Sequence, residues 1–202
     1  MLTFLTLLLL PAHLGKGTGS SGKRGATTTA TTKPAGTLAN TTFGVQASWV
    51  VGENAKAGTN AWQLPPNQTG TTIAGYADHT SATQGQNVTL FISTSAANYH
   101  IVAYRMGYYG GKGGRVVWSS AEQSGVSQAS CPVTAVTNMV SCSWQPSISV
   151  PITSSWPQGD YLLVLTADPG QSTYVPLTVI DPSSHGTYLV VNSLLTWQAW
   201  NT

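Results

Sequence analysis

The strongest constraint on the fold is a two-residue alternation of apolar and polar side chains in short segments from Thr71 onward. In the segment NVTLFIST, Val88, Leu90 and Ile92 share one side of an extended chain and the residues between them share the other. No segment of about twelve residues combines helical periodicity with capping residues. The pattern predicts an all-β fold of about seven short antiparallel strands, an immunoglobulin-like or fibronectin-like β-sandwich.

The glycine-rich stretch YRMGYYGGKGGR, residues 104–115, raises the question of a phosphate-binding loop. A Walker A loop needs a hydroxyl residue after its lysine, but Gly113 follows Lys112. A dinucleotide-binding loop needs a further glycine at the start of a helix, but the chain has Val116 there, within a β-branched segment. The stretch therefore predicts the turn of a β-hairpin, formed by Gly110, Gly111, Gly113 and Gly114.

Prolines refine this strand pattern. Pro157 and Gly159 predict a turn before the strand that begins at Tyr161, because proline presets φ and glycine tolerates unusual backbone angles. Pro176 lies inside another apolar segment and lacks an N–H group, so that segment is expected at a sheet edge or a bulge. A last apolar segment, TYLVVN, predicts one more strand near the end of the chain.

The N-terminal region differs in composition from the rest. Residues 1–15 contain a short apolar run closed by Pro11, which resembles a secretory signal peptide and is too short to span a bilayer. Residues 16–42 are rich in Thr, Gly and Ser and predict a disordered linker. The β-sandwich is then assigned to residues 43–181, and a secreted or cell-surface location is expected.

The charge balance argues against a nucleic-acid partner. From Phe43 onward the sequence has four Lys or Arg residues and six carboxylates, a net charge of 4 − 6 = −2. Charged residues make up only 7% of the chain, which suits an extracellular surface. A basic patch for nucleic acid is not expected.

The chain has two cysteines, Cys131 and Cys142. Zinc sites need four ligands, and neither a CxxC motif nor a nearby histidine supports one here. In an exported protein the pair predicts a disulfide that closes a hairpin, and two buried free thiols are the alternative.

The ionisable residues are too scattered to predict a catalytic site or a metal site. Asp78 adjoins His79, but neighbours on a strand point to opposite faces, which argues against a Ser-His-Asp triad. Glu53 and Arg105 have few other partners in the sequence, so we expect them to form a salt bridge that fixes the N-terminal segment to the sandwich.

Aromatic residues near the glycine-rich stretch suggest an alternative function. Flat rings stack on sugar faces, so Tyr108, Tyr109 and Trp118 would form a surface for polysaccharide if all three were exposed. Packing in the core and the hairpin is the other interpretation of these rings.

Several motifs together resemble one family. The segments ENAKAGTNAWQL, YRMGYYGGKGGRVV, WPQGDYLL, YVPLTVID and LLTWQAWN, with Cys131 and Cys142 followed by SW, look like the large (beta) subunit of N,N-dimethylformamidase and its bacterial relatives. The resemblance covers roughly residues 52–201 in consistent order. It implies a β-sandwich followed by an α/β domain similar to a class I glutamine amidotransferase.

The resemblance also implies where chemistry lies in such proteins. The amide-hydrolysing relative binds iron through residues of the later domain, and no residue of this sequence matches those ligands, so no cofactor is expected in this chain. Trp197, Gln198 and Asn201 match the end of the first α/β strand, where ligand sites of open sheets form. Residues 182–202 are thus interpreted as a linker and the first strand of a truncated α/β domain.

These observations give one expectation about function. The chain is expected to be a non-catalytic accessory part of a dimethylformamidase-like protein, which packs against the α/β domain or another subunit. The alternative is an extracellular module that binds carbohydrate or another surface through exposed aromatic residues.

Overall fold

A computed structural model describes residues 47–64, 72–185, 190–193 and 196. It contains one short α-helix, nine strands and one 3₁₀ turn. The elements are α1 (Ser48–Asn54), β1 (Ile73–Ala77), β2 (Ser81–Thr83), β3 (Asn87–Thr94), β4 (Asn98–Met106), the 3₁₀ turn (Tyr109–Gly111), β5 (Gly114–Ser119), β6 (Gln123–Ser124), β7 (Ile148–Pro151), β8 (Gly159–Ala167) and β9 (Gln171–Ile180). The predictions for residues 1–42 lie outside the described residues.

The strands form two sheets. One has the order β1-β3-β7, and the other has the order β2-β9-β8-β4-β5 with β6 paired to β4. The all-β prediction is confirmed. The pairs are antiparallel with one exception, because β2 runs parallel to β9 over three residue pairs.

The apolar faces of both sheets share one hydrophobic core. Val88, Leu90 and Ile92 are buried from the smaller sheet, as the alternation predicts, and Leu163 and Leu165 are buried from the larger one. Full burial of a side chain of this size contributes about 1.5 to 3 kcal/mol. The core thus explains why the alternating segments are strands.

Trp156 and Tyr161 close one end of this core. Their rings lie 4.9 Å apart, and both side chains are buried. The Tyr161 hydroxyl donates a hydrogen bond to the Pro157 carbonyl, four residues earlier, at 2.5 Å. Immunoglobulin-like sandwiches have a similar tyrosine near the start of a central strand. The predicted turn at Pro157 and Gly159 lies between Trp156 and Tyr161 in the sequence, and β8 begins at Gly159.

The glycine-rich stretch forms the hairpin between β4 and β5. The two strands pair antiparallel, with Arg105 opposite Arg115. Gly110, Gly111 and Gly113 have φ values of 65°, 83° and 82°, which confirms the turn interpretation for them. Gly114 differs from the prediction, because it is buried and begins β5. Its role is close packing, since a Cβ atom there would lie 2.6 Å from the Trp62 ring.

Two further sequence predictions, on Pro176 and on the segment TYLVVN, have different outcomes. Pro176 does lie at an edge: β9 pairs with β8 there, and β2 joins β9 only from residue 178. The helix α1 was not predicted. Of the segment TYLVVN, Val190–Asn192 are described and have no strand, and Val190 and Val191 are exposed. The rest of it, with Trp197, Gln198 and Asn201, lies outside the described residues.

Within the described part of the chain, no helix is long and apolar enough to cross a membrane.

Candidate functional site

A buried carboxylate joins the helix α1 to the glycine-rich hairpin. Glu53, near the end of α1, is only 4% exposed. Its Oε1 atom accepts hydrogen bonds from the Tyr109 hydroxyl at 2.7 Å and from Arg115 Nε at 2.8 Å. Its Oε2 atom accepts a hydrogen bond from Lys56 Nζ at 2.6 Å. Two ion pairs and one neutral hydrogen bond therefore hold this carboxylate.

Tyr109 connects this carboxylate to a second buried cation. Arg105 Nη1 donates to the Tyr109 hydroxyl at 2.8 Å, while that hydroxyl donates to Glu53. Arg105 Nη2 also donates to the Gln158 carbonyl at 2.8 Å, and its guanidinium lies 5.9 Å from the Trp49 ring centroid. Gly159 makes room for this guanidinium, since a Cβ atom there would lie 3.0 Å from Arg105 Nη2. We call Glu53, Lys56, Arg105, Tyr109 and Arg115 the Glu53 cluster.

The position of Glu53 follows from the charges around it. Arg105 and Arg115 face each other across the β4–β5 pair, and like charges opposite each other destabilise a sheet. A carboxylate beside them offsets that repulsion. Arg115 Nη2 lies 2.6 Å from Glu53 Oε1 without hydrogen-bond geometry, so this contact acts through charge.

The pKa values reflect these contacts. Burial alone would raise the pKa of Glu53, but hydrogen bonds from Lys56, Tyr109 and Arg115 lower it to about 2. Burial raises the pKa of Tyr109, and its hydrogen bond to Glu53 raises it further. The pKa of Arg115 is raised although burial opposes this, because Glu53 stabilises the charged guanidinium. Glu53 and Arg115 are therefore ionised at neutral pH, and Tyr109 is neutral.

The prediction that Glu53 forms a salt bridge with Arg105 was wrong. The residues that pair with Glu53 are Arg115 and Lys56, whereas Arg105 reaches it only through Tyr109. Sequence reasoning missed Arg115 because the strand register that brings it next to Arg105 is not visible in the sequence. The spacing of Glu53 and Lys56 was the one available signal, since residues three apart contact each other on a helix.

Tyr108, Tyr109 and Trp118 do not form the exposed aromatic surface that the alternative function requires. Tyr108 is 69% exposed, but Tyr109 is 2% exposed because its hydroxyl is held by the Glu53 cluster. Trp118 is half-buried and packs against the core. The three rings therefore do not form a shared exposed face for a sugar.

An open groove lies beside the Glu53 cluster, at the end of the sandwich where β9 leaves the sheet. Its volume is about 500 Å³. Trp49, Ile180 and Pro182 give it apolar walls, and Gln158 links it to Arg105. Trp49 and Ile180 remain 42% and 45% exposed. The groove thus combines exposed apolar surface with a rigid polar support.

Other ionisable groups of the described residues do not form a reactive set. Asp78 and His79 contact each other at 3.1 Å, contrary to the sequence argument, because they follow β1 in a bend and not within a strand. His79 remains 69% exposed despite this contact. His100, Glu122 and Asp168 line a smaller recess of about 240 Å³. In the described ranges, no three His, Cys, Asp or Glu side chains are placed to hold a metal ion.

The predicted disulfide is present. Cys131 and Cys142 are bonded, with their Cα atoms 4.4 Å apart. Inside the loop that they close, Val133 and Val140 form an isolated antiparallel bridge. The loop is therefore a small hairpin, as the sequence suggested.

Comparison with known proteins gives one family. A family model described as "N,N-dimethylformamidase beta subunit-like, C-terminal" matches residues 100–202, just over half of the chain. The match begins within β4 and includes most of the six-stranded sheet. No curated protein matches the chain. Among solved structures, macromomycin aligns at 15% identity over 54% of this chain and 99% of its own, with a TM-score of 0.25, which carries no argument.

Proposed function

The chain belongs to the N,N-dimethylformamidase beta subunit-like family, and from this premise we propose that it is a non-catalytic β-domain that docks an α/β catalytic-type domain or another subunit. The docking surface is the groove lined by Trp49, Ile180 and Pro182. Amide hydrolysis in the amide-hydrolysing relative would then depend on the docked domain, to which the family resemblance assigns the iron. The chain itself would carry no cofactor.

One observation carries this proposal: the Glu53 cluster uses its ionisable groups to support the groove. Glu53 holds α1 against the hairpin through Tyr109 and Arg115. The same helix presents Trp49, which stacks on Arg105 and forms part of the groove wall. Glu53 accepts from three donors, and the Tyr109 hydroxyl bonds to both Glu53 and Arg105, so these groups position the surface and neither is free to act as a base or nucleophile.

The composition of the groove fits a protein partner. Interface centres are poor in charge and rich in aromatic residues, and among the described residues that line this groove Asp181 is the only ionisable one. Hydrogen bonds from Ser183 lower the pKa of Asp181, so this carboxylate is charged at the rim. An apolar centre with a charged rim is typical of a docking surface.

The disulfide supports an extracytoplasmic location. Disulfides persist in oxidising compartments and are rare in the cytosol. The bond between Cys131 and Cys142 is therefore consistent with the proposal that the protein is secreted or held at the cell surface.

The docking proposal is tested by binding. The purified chain is mixed with the separately expressed α/β domain of a family member, and the affinity is measured by calorimetry. Trp49→Ala and Ile180→Ser are each expected to weaken binding about tenfold or more, because they remove apolar contacts from the centre of the surface. Val116→Ser is the matched control, since Val116 has the same 45% exposure as Ile180 but lies on β5, away from the groove.

The outcomes are distinct. Loss of affinity in the two groove variants with an unchanged control supports docking through the groove. If the wild-type chain does not bind the domain, or if all three variants bind equally, the docking proposal is wrong.

The non-catalytic role is tested separately. The chain alone, supplied with ferrous iron, is incubated with N,N-dimethylformamide, and released dimethylamine is quantified. We expect no release above the buffer control. Release that depends on the chain would overturn this part of the proposal whatever the result of the binding assay.

A further inference from the structure

The six-stranded sheet has a second apolar face. One face contributes Ala103, Leu163 and Leu165 to the core. The residues that alternate with them along the strands lie on the opposite face, and the register aligns them in two rows across the sheet. The first row is Pro176, Leu162, Tyr104 and Val116, and the second is Tyr174, Val164 and Val102. We call these seven residues the outer face.

The outer face has the character of a packing surface. Val164 and Tyr104, at its centre, do not belong to the core cluster, yet they are only 4% and 6% exposed. Val116, at the β5 edge, is 45% exposed. An apolar sheet face has to be buried against another element. The β5 side of the outer face is therefore open to such an element.

Two other segments of the same chain contact the margins of the outer face. The first is at the β9 edge, where the Tyr174 hydroxyl donates to the Trp62 carbonyl at 2.7 Å. The same hydroxyl accepts a hydrogen bond from the Leu64 backbone N–H at 2.8 Å. The chain thus already uses this face for contacts with itself.

The second contact comes from the C-terminal side of the sandwich. Asn192 Nδ2 donates to Asp160 Oδ1 at 2.7 Å and to Thr178 Oγ1 at 3.2 Å. Asp160 and Thr178 pair with each other across β8 and β9. Each lies two residues from a member of the outer face, Leu162 or Pro176, and thus on the same side of the sheet. Asn192 therefore fixes the chain at one end of the outer face.

The residues that follow Asn192 have the composition and the length to cover the outer face. Residues 193–202, SLLTWQAWNT, contain no charged residue and five apolar ones: Leu194, Leu195, Trp197, Ala199 and Trp200. Only Ser193 and Thr196 of this segment are among the described residues. Ten extended residues reach about 33 Å. The first row of the outer face lies about 7 Å from Asp160 along the strand and spans about 15 Å across four strands, which is within this reach.

We propose that residues 193–202 fold back over the outer face and pack their apolar side chains on it, Trp197 and Trp200 among them. A segment attached through Asn192 reaches this surface at a high effective concentration, whereas a second copy would lose translational and rotational freedom on binding. The attachment therefore favours the chain's own segment as the occupant. This contact does not depend on docking at the groove.

Photocrosslinking of the full chain tests the proposal. The photoreactive residue p-benzoylphenylalanine replaces Trp197, an equal mixture of normal and ¹⁵N-labelled chains is irradiated, and the linked peptides are identified by mass spectrometry. We expect crosslinks to the peptides that contain Tyr104, Val116 or Leu162, without mixed isotopes, because the contact is within one chain. The control has the same photoreactive residue in place of Val136, which is 91% exposed in the disulfide loop, residues 125–147, between β6 and β7. It is expected to give no crosslink to these peptides.

Crosslinks with mixed isotopes would identify a second copy as the occupant and overturn the proposal. So would crosslinks from position 197 only to other surfaces, or the absence of any crosslink.

Hydrogen exchange gives a second, independent measurement. The double variant Trp197→Ala with Trp200→Ala is expected to speed amide exchange in β5 severalfold, because it removes cover from the open side of the outer face, and to leave β3 unchanged. Val190→Ala with Val191→Ala is the matched control, since these valines precede Asn192 and are 78% and 80% exposed. Equal exchange of β5 in the two double variants would contradict the proposal.

Discussion

Two loops of this molecule are held in place by different kinds of interaction. The glycine-rich hairpin between β4 and β5 is held by the Glu53 cluster, in which one carboxylate contacts three donors. The disulfide loop between β6 and β7 is held by a covalent bond and by the amide groups of Gln128. The Glu53 cluster includes Glu53 and Arg105, the two buried charged residues of the described part of the chain, whereas the disulfide loop has no charged residue.

The difference matters because the Glu53 cluster and the disulfide connect different parts of the chain. Glu53 and Arg115 are 62 residues apart, so the cluster attaches a helix that precedes the sandwich to one of its strands. Cys131 and Cys142 are 11 residues apart, and their bond shapes only the loop that contains them. The cluster therefore sets the position of the groove, whereas the disulfide sets the form of a local surface.

The largest expected effect is the loss of the buried carboxylate. Glu53→Ala leaves Arg105 and Arg115 opposite each other without a counter-charge, and breaking a buried pair costs about 3 kcal/mol or more of unfolding free energy. We expect urea unfolding to show this loss. Hydrogen exchange should also show that α1 becomes unprotected, because Glu53 is its main polar attachment to the hairpin.

The other glutamate provides the control for this experiment. Glu122 is exposed, so Glu122→Gln is expected to change the unfolding free energy by less than about 0.5 kcal/mol. Equal losses in the Glu53 and Glu122 variants would contradict the structural role of the cluster.

The second expected effect is a loss of stability in acid that comes from Glu53. The folded-state pKa of Glu53, about 2, lies below the ordinary value of 4.5. A lowered carboxyl pKa stabilises the fold fully above the unfolded value, and this contribution disappears as the pH falls from 4.5 through 2. The difference of about 2.5 pH units corresponds to about 3 kcal/mol.

A matched variant isolates this contribution. The difference in unfolding free energy between the wild type and Glu53→Gln is expected to be constant above about pH 5 and to shrink in stronger acid. Other carboxyl groups with lowered pKa values, such as Asp78, titrate in both proteins and cancel. A difference that stays constant down to pH 2 would mean that folding does not lower the pKa of Glu53.

The strands could be predicted because the apolar side chains that alternate in the sequence are the ones that the fold buries. Val88, Leu90 and Ile92 alternate in the sequence and are all buried in β3. Pro176 was placed at an edge from the missing N–H group alone, and the disulfide from the absence of any metal-binding pattern around the two cysteines. These features depend on residues close together in the sequence.

The Glu53 cluster could not be predicted in full, because it depends on register and on a helix without local signals. The helix Ser48–Asn54 has seven residues, and Ala47 makes no capping hydrogen bond, so neither length nor a cap marked it. The sequence left open whether the Tyr109 ring is exposed or packed, and in the fold its hydroxyl lies between Arg105 and Glu53. Only the tertiary fold brings these residues together.

The smallest of the three effects is the loss of the disulfide, and it completes the comparison. Replacing Cys131 and Cys142 by serine is expected to lower the unfolding free energy by about 2 to 3 kcal/mol, because the unfolded chain regains the entropy of an 11-residue loop. This loss should be the same at pH 7 and pH 3, since no titratable group lies between Glu122 and Asp160. Hydrogen exchange should increase in the disulfide loop and stay unchanged in α1. If α1 also loses protection, the two loops are not independent, and the contrast between a long-range charged attachment and a local covalent one fails.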